Sequence, residues 1–95
     1  MAAFLSDEHS KQDITPMSMS GLDALRGLRP SEYSYKRGLG HRTDRHQGLI
    51  AQDLESIPGA VIEGEDGYKR VDPSPVMATM VKAIQELDAK IEGAA

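Results

Sequence analysis

The chain has no cysteine, no tryptophan and one phenylalanine among 95 residues. Without cysteine it cannot build disulfide frameworks, thiolate zinc sites, iron–sulfur clusters or thiol nucleophiles. Aromatic residues make up 4% and hydrophobic residues 39%. A chain this short buries only about 60–65% of its unfolded surface. So thin an apolar supply predicts that it covers part of its surface with a partner or with copies of itself. No apolar run approaches the roughly 18 residues of a membrane span. The opening Met1-Ala2-Ala3-Phe4-Leu5 reaches polar residues at Ser6 and is too short for a signal peptide. These absences predict a soluble protein made in a cytoplasm, with no membrane partner. Positive charge is also scarce overall, with a formal net charge of −4, which argues against non-specific nucleic-acid binding. It is unevenly placed: over residues 26–45, six basic residues face two acidic ones, leaving +4 there and −8 on the remainder.

Residues 1–20 are polar, rich in Ser and Met, and broken by Pro16, so they predict extended or irregular chain. Ser20 with Asp23 three positions on resembles a capping box, followed by Leu22, Leu25 and Leu28 at helical spacing. Gly27 and Pro30 limit this helix to two or three turns. Residues 31–36 alternate, with Tyr33 and Tyr35 on one face, and predict a strand. Residues 37–47 hold two glycines, two histidines and four charges and predict an exposed loop. Residues 48–51 form a short apolar run that ends a strand, and residues 52–57 a short helix through Leu54 and Ile57, stopped by Pro58-Gly59. Residues 60–63 and 68–71 are β-prone and flank Gly64-Glu65-Asp66-Gly67, which predicts a hairpin.

Residues 73–92 are the most regular. Pro73 and Pro75 suit a helix start, with Ser74 as its cap. Met77, Met80, Ile84, Leu87 and Ile91 follow at spacings of 3, 4, 3 and 4. This is a narrow seam of coiled-coil type, expected to join copies of the chain. The plainer alternative is one helix packed on its own small domain.

Ser6 and Lys11 are the residues with the most chemical interest. A serine hydroxyl becomes a nucleophile when a base takes its proton, and a lysine kept neutral by burial can be that base. His41 and His46 flank Asp44 in the basic loop, but two imidazoles without a third fixed ligand make a poor zinc site. Gly38-Leu39-Gly40 lacks the strand-to-helix context of a dinucleotide loop. The arginines of residues 26–45 match no nucleic-acid module. They are expected to pair with Glu63, Glu65 and Asp66 of the hairpin, within the chain or across a subunit boundary.

Several stretches, in order and spacing, carry a resemblance: Ser6-Asp7 with Lys11 five residues after the serine, then Arg29-Pro30, Tyr33-Ser34-Tyr35, Gly48-Leu49-Ile50-Ala51-Gln52-Asp53-Leu54, Asp66-Gly67-Tyr68-Lys69-Arg70-Val71-Asp72 and Val81-Lys82-Ala83-Ile84-Gln85-Glu86-Leu87. Together they resemble the C-terminal intramolecular chaperone domain of phage tail spikes, tail fibres and endosialidases, an auto-processing domain also found in the myelin regulatory factor. The resemblance implies a trimer that helps long β-rich chains find register and then cuts itself off. Carried over by position, it makes Ser6 the nucleophile, Lys11 the base and Leu5–Ser6 the scissile bond. Three positions depart from the family pattern. Ser10 stands where an apolar residue is usual, His9 where a basic one is, and Pro73 where a tyrosine follows Val-Asp. Cleavage at Leu5–Ser6 would release only five residues of this chain, so an uncleaved product is also expected.

The sequence therefore predicts one α+β domain over residues 1–95. Residues 1–20 are an extended segment carrying the cleavage motif, 21–72 a mixed body with a small antiparallel sheet and short helices, and 73–92 a long helix in a trimeric bundle. The expected function is a trimerisation and folding chaperone module of a phage tail fibre or spike, self-cleaving before Ser6. The alternative is a non-cleaving structural virion protein that forms a trimeric cap or connector on a fibre or baseplate. The expected partners are two further copies and a tail fibre, spike or baseplate protein, with no nucleic acid, cofactor or metal. The expected location is the host cytoplasm during assembly and the virion tail if the module is retained.

Overall fold

Caps and turns, more than long apolar runs, divide this chain into its elements. The computed structural model describes residues 3–94. Helix α1 spans Gly21–Arg26, and an antiparallel hairpin follows, formed by β1 (Ser31–Tyr33) and β2 (His46–Gly48). A 3-10 turn at Ala51–Leu54 leads to a second antiparallel hairpin, β3 (Val61–Glu63) with β4 (Lys69–Val71). Helix α2, Pro73–Ala94, completes the chain. The fold is α+β, with two separate two-stranded sheets rather than the single sheet expected.

Ser20 caps α1, its hydroxyl accepting from the Asp23 N–H at 3.2 Å. The box is only half closed, because the Asp23 carboxylate turns to Arg26 instead of reaching back. The strand expected over residues 31–36 is shorter, and His46 and Gln47, expected in a loop, form β2 opposite Tyr33 and Glu32. That pairing is non-local, so neither segment announces it alone. The second hairpin is as expected. Gly64 N–H bonds the Tyr68 carbonyl at 2.9 Å, the Asp66 carboxylate accepts from Tyr68 N–H at 3.0 Å, and Gly67 takes a φ of +85°. Only glycine adopts that φ readily, and it closes the turn. The cap of α2 is Asp72, not Ser74: its carboxylate accepts from Ser74 N–H at 3.0 Å. The Asp72 N–H also bonds the Ala60 carbonyl at 2.8 Å, tying the helix start to β3.

The core is small. Ala24, Leu54, Ile57, Ala60 and Val76 form it, with Met19, Leu28, Leu49 and Val61 packed around. Gly21 and Ala24 are the buried residues of α1, while Leu22, Leu25 and Leu28, which follow at helical spacing, are half-buried. The physical reason is close approach. A Cβ on Gly21 would lie 2.5 Å from the Ala83 nitrogen and 2.6 Å from the Thr79 carbonyl oxygen, so the α1 backbone rests on the α2 backbone. Thr79 is fully buried there, and its hydroxyl donates to the Pro75 carbonyl at 2.8 Å. This back-bond lets a polar side chain sit in the contact.

Helix α2 meets its own body through Val76, Thr79 and Ala83. The seam Met77, Met80, Ile84, Leu87 and Ile91 lies on a neighbouring stripe, its centre about 100° round the axis. All five side chains are 45–68% exposed. Helix α2 therefore does pack on its own small domain, as the plainer alternative has it, but through a stripe other than the seam, which is left exposed.

Gly21→Ala tests the close approach. The added methyl meets backbone atoms that have no rotamer to escape to, so it is expected to destabilise by about 1–3 kcal/mol. Thermal unfolding checks this, with a Tm lowered by roughly 5–15 °C for a chain of this size. An unchanged Tm would mean the helices do not touch here.

Candidate functional site

Among the described residues before α1, the one regular element is a 3-10 turn at Glu8–Ser10. Asp7 caps that turn. Its carboxylate accepts from the His9 N–H at 2.8 Å and faces the His9 ring nitrogen at 3.0 Å. The backbone bond, then the ring contact, hold the Asp7 carboxyl below its usual range. Ser10 N–H and Lys11 N–H bond the Asp7 and Glu8 carbonyls at 3.0 and 3.1 Å. The turn reverses the chain enough for Lys11 Nζ to donate to Ser6 Oγ at 2.8 Å. The two residues singled out by chemistry are thus in direct contact, and both side chains are exposed in the single chain. Leu5 is 83% exposed, with Phe4 exposed beside it. Ser10 turns its hydroxyl to the Asp7 carbonyl at 2.6 Å, and nothing apolar packs in its place. Asp13 has a φ of +55°, in the left-handed region that Asp tolerates.

Two residues of α2, neither of them a candidate site residue by sequence, hold the far end of this segment. Lys82 Nζ donates to the Met17 carbonyl. Glu86 accepts from three donors at the start of α1: Ser20 Oγ at 2.8 Å, Gly21 N–H at 2.5 Å and Leu22 N–H at 3.2 Å. The free N–H groups of a helix N-terminus favour a carboxylate. The Ser20 hydroxyl bond, the Leu22 and Gly21 N–H bonds and the nearby Lys82 charge hold Glu86 below its ordinary value, against the desolvation that raises it. The recognisable signal was spacing. Val76, Thr79, Ala83 and Glu86 form a second stripe at 3, 4 and 3 beside the more apolar seam.

The basic loop does not pair as expected within the chain. Arg42 lies 3.4 Å from Asp44, and Arg45 donates to the Glu32 carbonyl at 3.1 Å. Two of the three hairpin acids have nearer partners: Asp66 forms a forked pair with Arg70, and Glu63 lies 3.7 Å from Lys69. Local pairs across four residues or one hairpin form without ordering a loop, so they outcompete distant ones. Arg29 instead grips Asp53 through two bonds, 2.9 and 3.1 Å, which raises the guanidinium and lowers the carboxyl. His41 stacks on Tyr35 at 4.4 Å and His46 on Tyr33 at 6.2 Å, each ring face to face with a tyrosine. Among the described residues no group of three His, Asp or Glu side chains converges as metal ligands, and no helix is long and apolar enough to cross a membrane.

Compared with known families, residues 6–63 match the one described as chaperone of endosialidase. No curated protein and no solved structure matches the chain.

The Glu86 contacts have a pH signature. A carboxyl held below its ordinary value of 4.5 contributes stability in full above that value and loses it as pH falls through the folded-state value. Glu86→Gln is expected to lower Tm at neutral pH, and the gap from the unmutated protein should shrink as pH drops below 4.5. Thermal unfolding across pH checks this. A gap that stays constant down to acid would mean the carboxylate charge contributes nothing.

Proposed function

Since the chain belongs to the chaperone of endosialidase family, with more than half its length matched, we propose that it is the folding and trimerisation module of a phage tail fibre or tail spike, and that it cuts the bond before Ser6. The observation that carries assembly is the stripe Met77, Met80, Ile84, Leu87 and Ile91. It stands exposed on a helix whose other stripe already packs on its own body. Burying five such side chains between copies would stabilise the assembly by about 1.5–3 kcal/mol for each one fully covered. The number three comes from the family, since mixed Met, Ile and Leu at these positions do not set it.

For cleavage, Ser6 Oγ attacks the Leu5 carbonyl carbon as Lys11 takes the hydroxyl proton. The new C–O bond forms, the Leu5–Ser6 C–N bond breaks, and the proton passes to the leaving Ser6 nitrogen. Water then hydrolyses the ester, freeing the Leu5 carboxylate and restoring the Ser6 hydroxyl. Contact between Lys11 and Ser6 makes the proton transfer local. A lysine acts as a base in its neutral form, which burial favours. Lys11 is exposed in the single chain, so neighbouring copies are the source of that burial, and cleavage then follows correct assembly.

A second reading has its own support. Ser10 donates to the Asp7 carbonyl where the family has an apolar residue, leaving less to pack around Lys11. On that reading the module assembles, does not cut, and stays in the virion as a cap or connector.

Two experiments decide between them. In a longer N-terminal fusion, the unmutated chain is expected to release the upstream piece, and Ser6→Ala or Lys11→Arg to abolish release, because Arg keeps its charge and cannot serve as a base. Release that survives Ser6→Ala overturns the Ser–Lys assignment. An intact fusion in an assembled protein favours the non-cleaving reading. Separately, Ile84→Asp is expected to reduce the sedimenting species to the 10.3 kDa single chain, or to unfold it, since a buried unpaired charge is strongly unfavourable. Assembly unchanged by this substitution would mean that the stripe is not the interface.

A further inference from the structure

We propose that Lys82 and Glu86 are positioning residues, a two-point clamp through which the assembly helix fixes where the Ser6–Lys11 pair lies. The inference rests on the self-cleavage reading above and deepens it. Two independent contacts carry it. Lys82 reaches the Met17 carbonyl, and Glu86 reaches Ser20, Gly21 and Leu22. They sit four residues apart on α2, hence one turn apart on one face. That face lies roughly 140–180° from the centre of the exposed stripe, so copies meeting through the stripe leave the clamp untouched.

The consequence for Ser6 and Lys11 is one of reach. Nothing else regular holds residues 11–19 among the described residues; they carry no helix or strand, and every one is exposed except Met19. Lys11 is six residues from Met17, so the pin confines it to within about 20 Å of a fixed point on α2. Without the pin, the next fixed point is Met19, packed against the core, and the tether lengthens by about a third. In an assembly the three α2 helices are held relative to one another. A segment pinned to α2 therefore presents its reacting pair at a set place against neighbouring copies. A segment that is free does not. Lys82 donates to a backbone oxygen, so any long cationic side chain there would serve, whereas Glu86 must be an acceptor with two oxygens.

The test uses the full chain in an N-terminal fusion, with Lys82→Met, Lys82→Arg and Glu86→Ala. Oligomeric state is matched by sedimentation. The first readout is the rate of release before Ser6. The second, in a Ser6→Ala background, is the rate of tryptic cutting after Lys11 relative to cutting after Arg42 in the exposed loop. Loosening at the clamp raises the Lys11 cut alone, whereas general destabilisation raises both. The expected result is a relative rise of about five- to tenfold at Lys11 for Lys82→Met, slower release at unchanged assembly, and recovery of both in Lys82→Arg. Glu86→Ala should act in the same direction; if it fails to fold, the Lys82 pair still decides. An unchanged cutting ratio in Lys82→Met overturns the clamp, whether or not the fusion cleaves. Equal values for Lys82→Met and Lys82→Arg also overturn it. A raised ratio in a fusion that never releases its piece supports the clamp and overturns the cleavage reading instead.

Discussion

The rest of the structure depends on one close approach, the Gly21 backbone lying against the backbone of Thr79 and Ala83. Small residues at all three positions let two helices touch main chain to main chain. Glu86, one turn further along, then reaches the exposed N–H groups of α1. Together they fix the rotation of α2 about its axis. Val76, Thr79 and Ala83 turn inward, and Met77, Met80, Ile84, Leu87 and Ile91 are left on the outside. A larger residue at position 21 would push the helices apart and free that rotation. The exposed apolar stripe thus follows from the small contact beside it.

The energetics point the same way. Leu54 and Thr79 are the largest side chains fully buried, and three of the buried apolar residues are alanines. The radius of gyration is 16.4 Å, against about 12 Å for a compact chain of this length. Two ion pairs tie parts of the chain together, Arg29 with Asp53 and Lys69 with Glu55, while Arg70 with Asp66 closes the second hairpin on itself. Exposed pairs of this kind contribute about 0–1 kcal/mol each. A single copy has little to hold it and much apolar surface in water. The proposed assembly would cover that surface and add to the stability of each copy.

Much of this was legible in the residues. The cap at Ser20, the 64–67 turn and the uninterrupted helix after Pro73 are local signals, and each appears where the residue chemistry puts it. Ser6 and Lys11 came together because Asp7 nucleates a turn between them, again a local event. The pairing of β1 with β2 was not legible, since Tyr33 and His46 meet across a loop whose composition reads as solvent-exposed. Which residues of α1 are buried was not legible for a related reason: hydrophobicity marks what prefers burial, but Gly21 and Ala24 are buried because they are small. The spacing of Val76, Thr79, Ala83 and Glu86 puts Glu86 on the packed stripe, but its partners lie 64 to 66 residues away and that spacing does not name them. Within one chain the basic loop does not reach the hairpin acids, because Glu63 and Asp66 have nearer partners in Lys69 and Arg70.

The central claim is that the outward stripe of α2 joins copies of this chain. The absence of cysteine allows a direct measurement. Ile84→Cys places a thiol in the stripe, and Ala78→Cys places one on the opposite flank of the same helix, also exposed. Under mild oxidation at low protein concentration, the account predicts a covalent two-chain product for Ile84→Cys and none above background for Ala78→Cys. Equal cross-linking at both positions, or none at position 84, would contradict it.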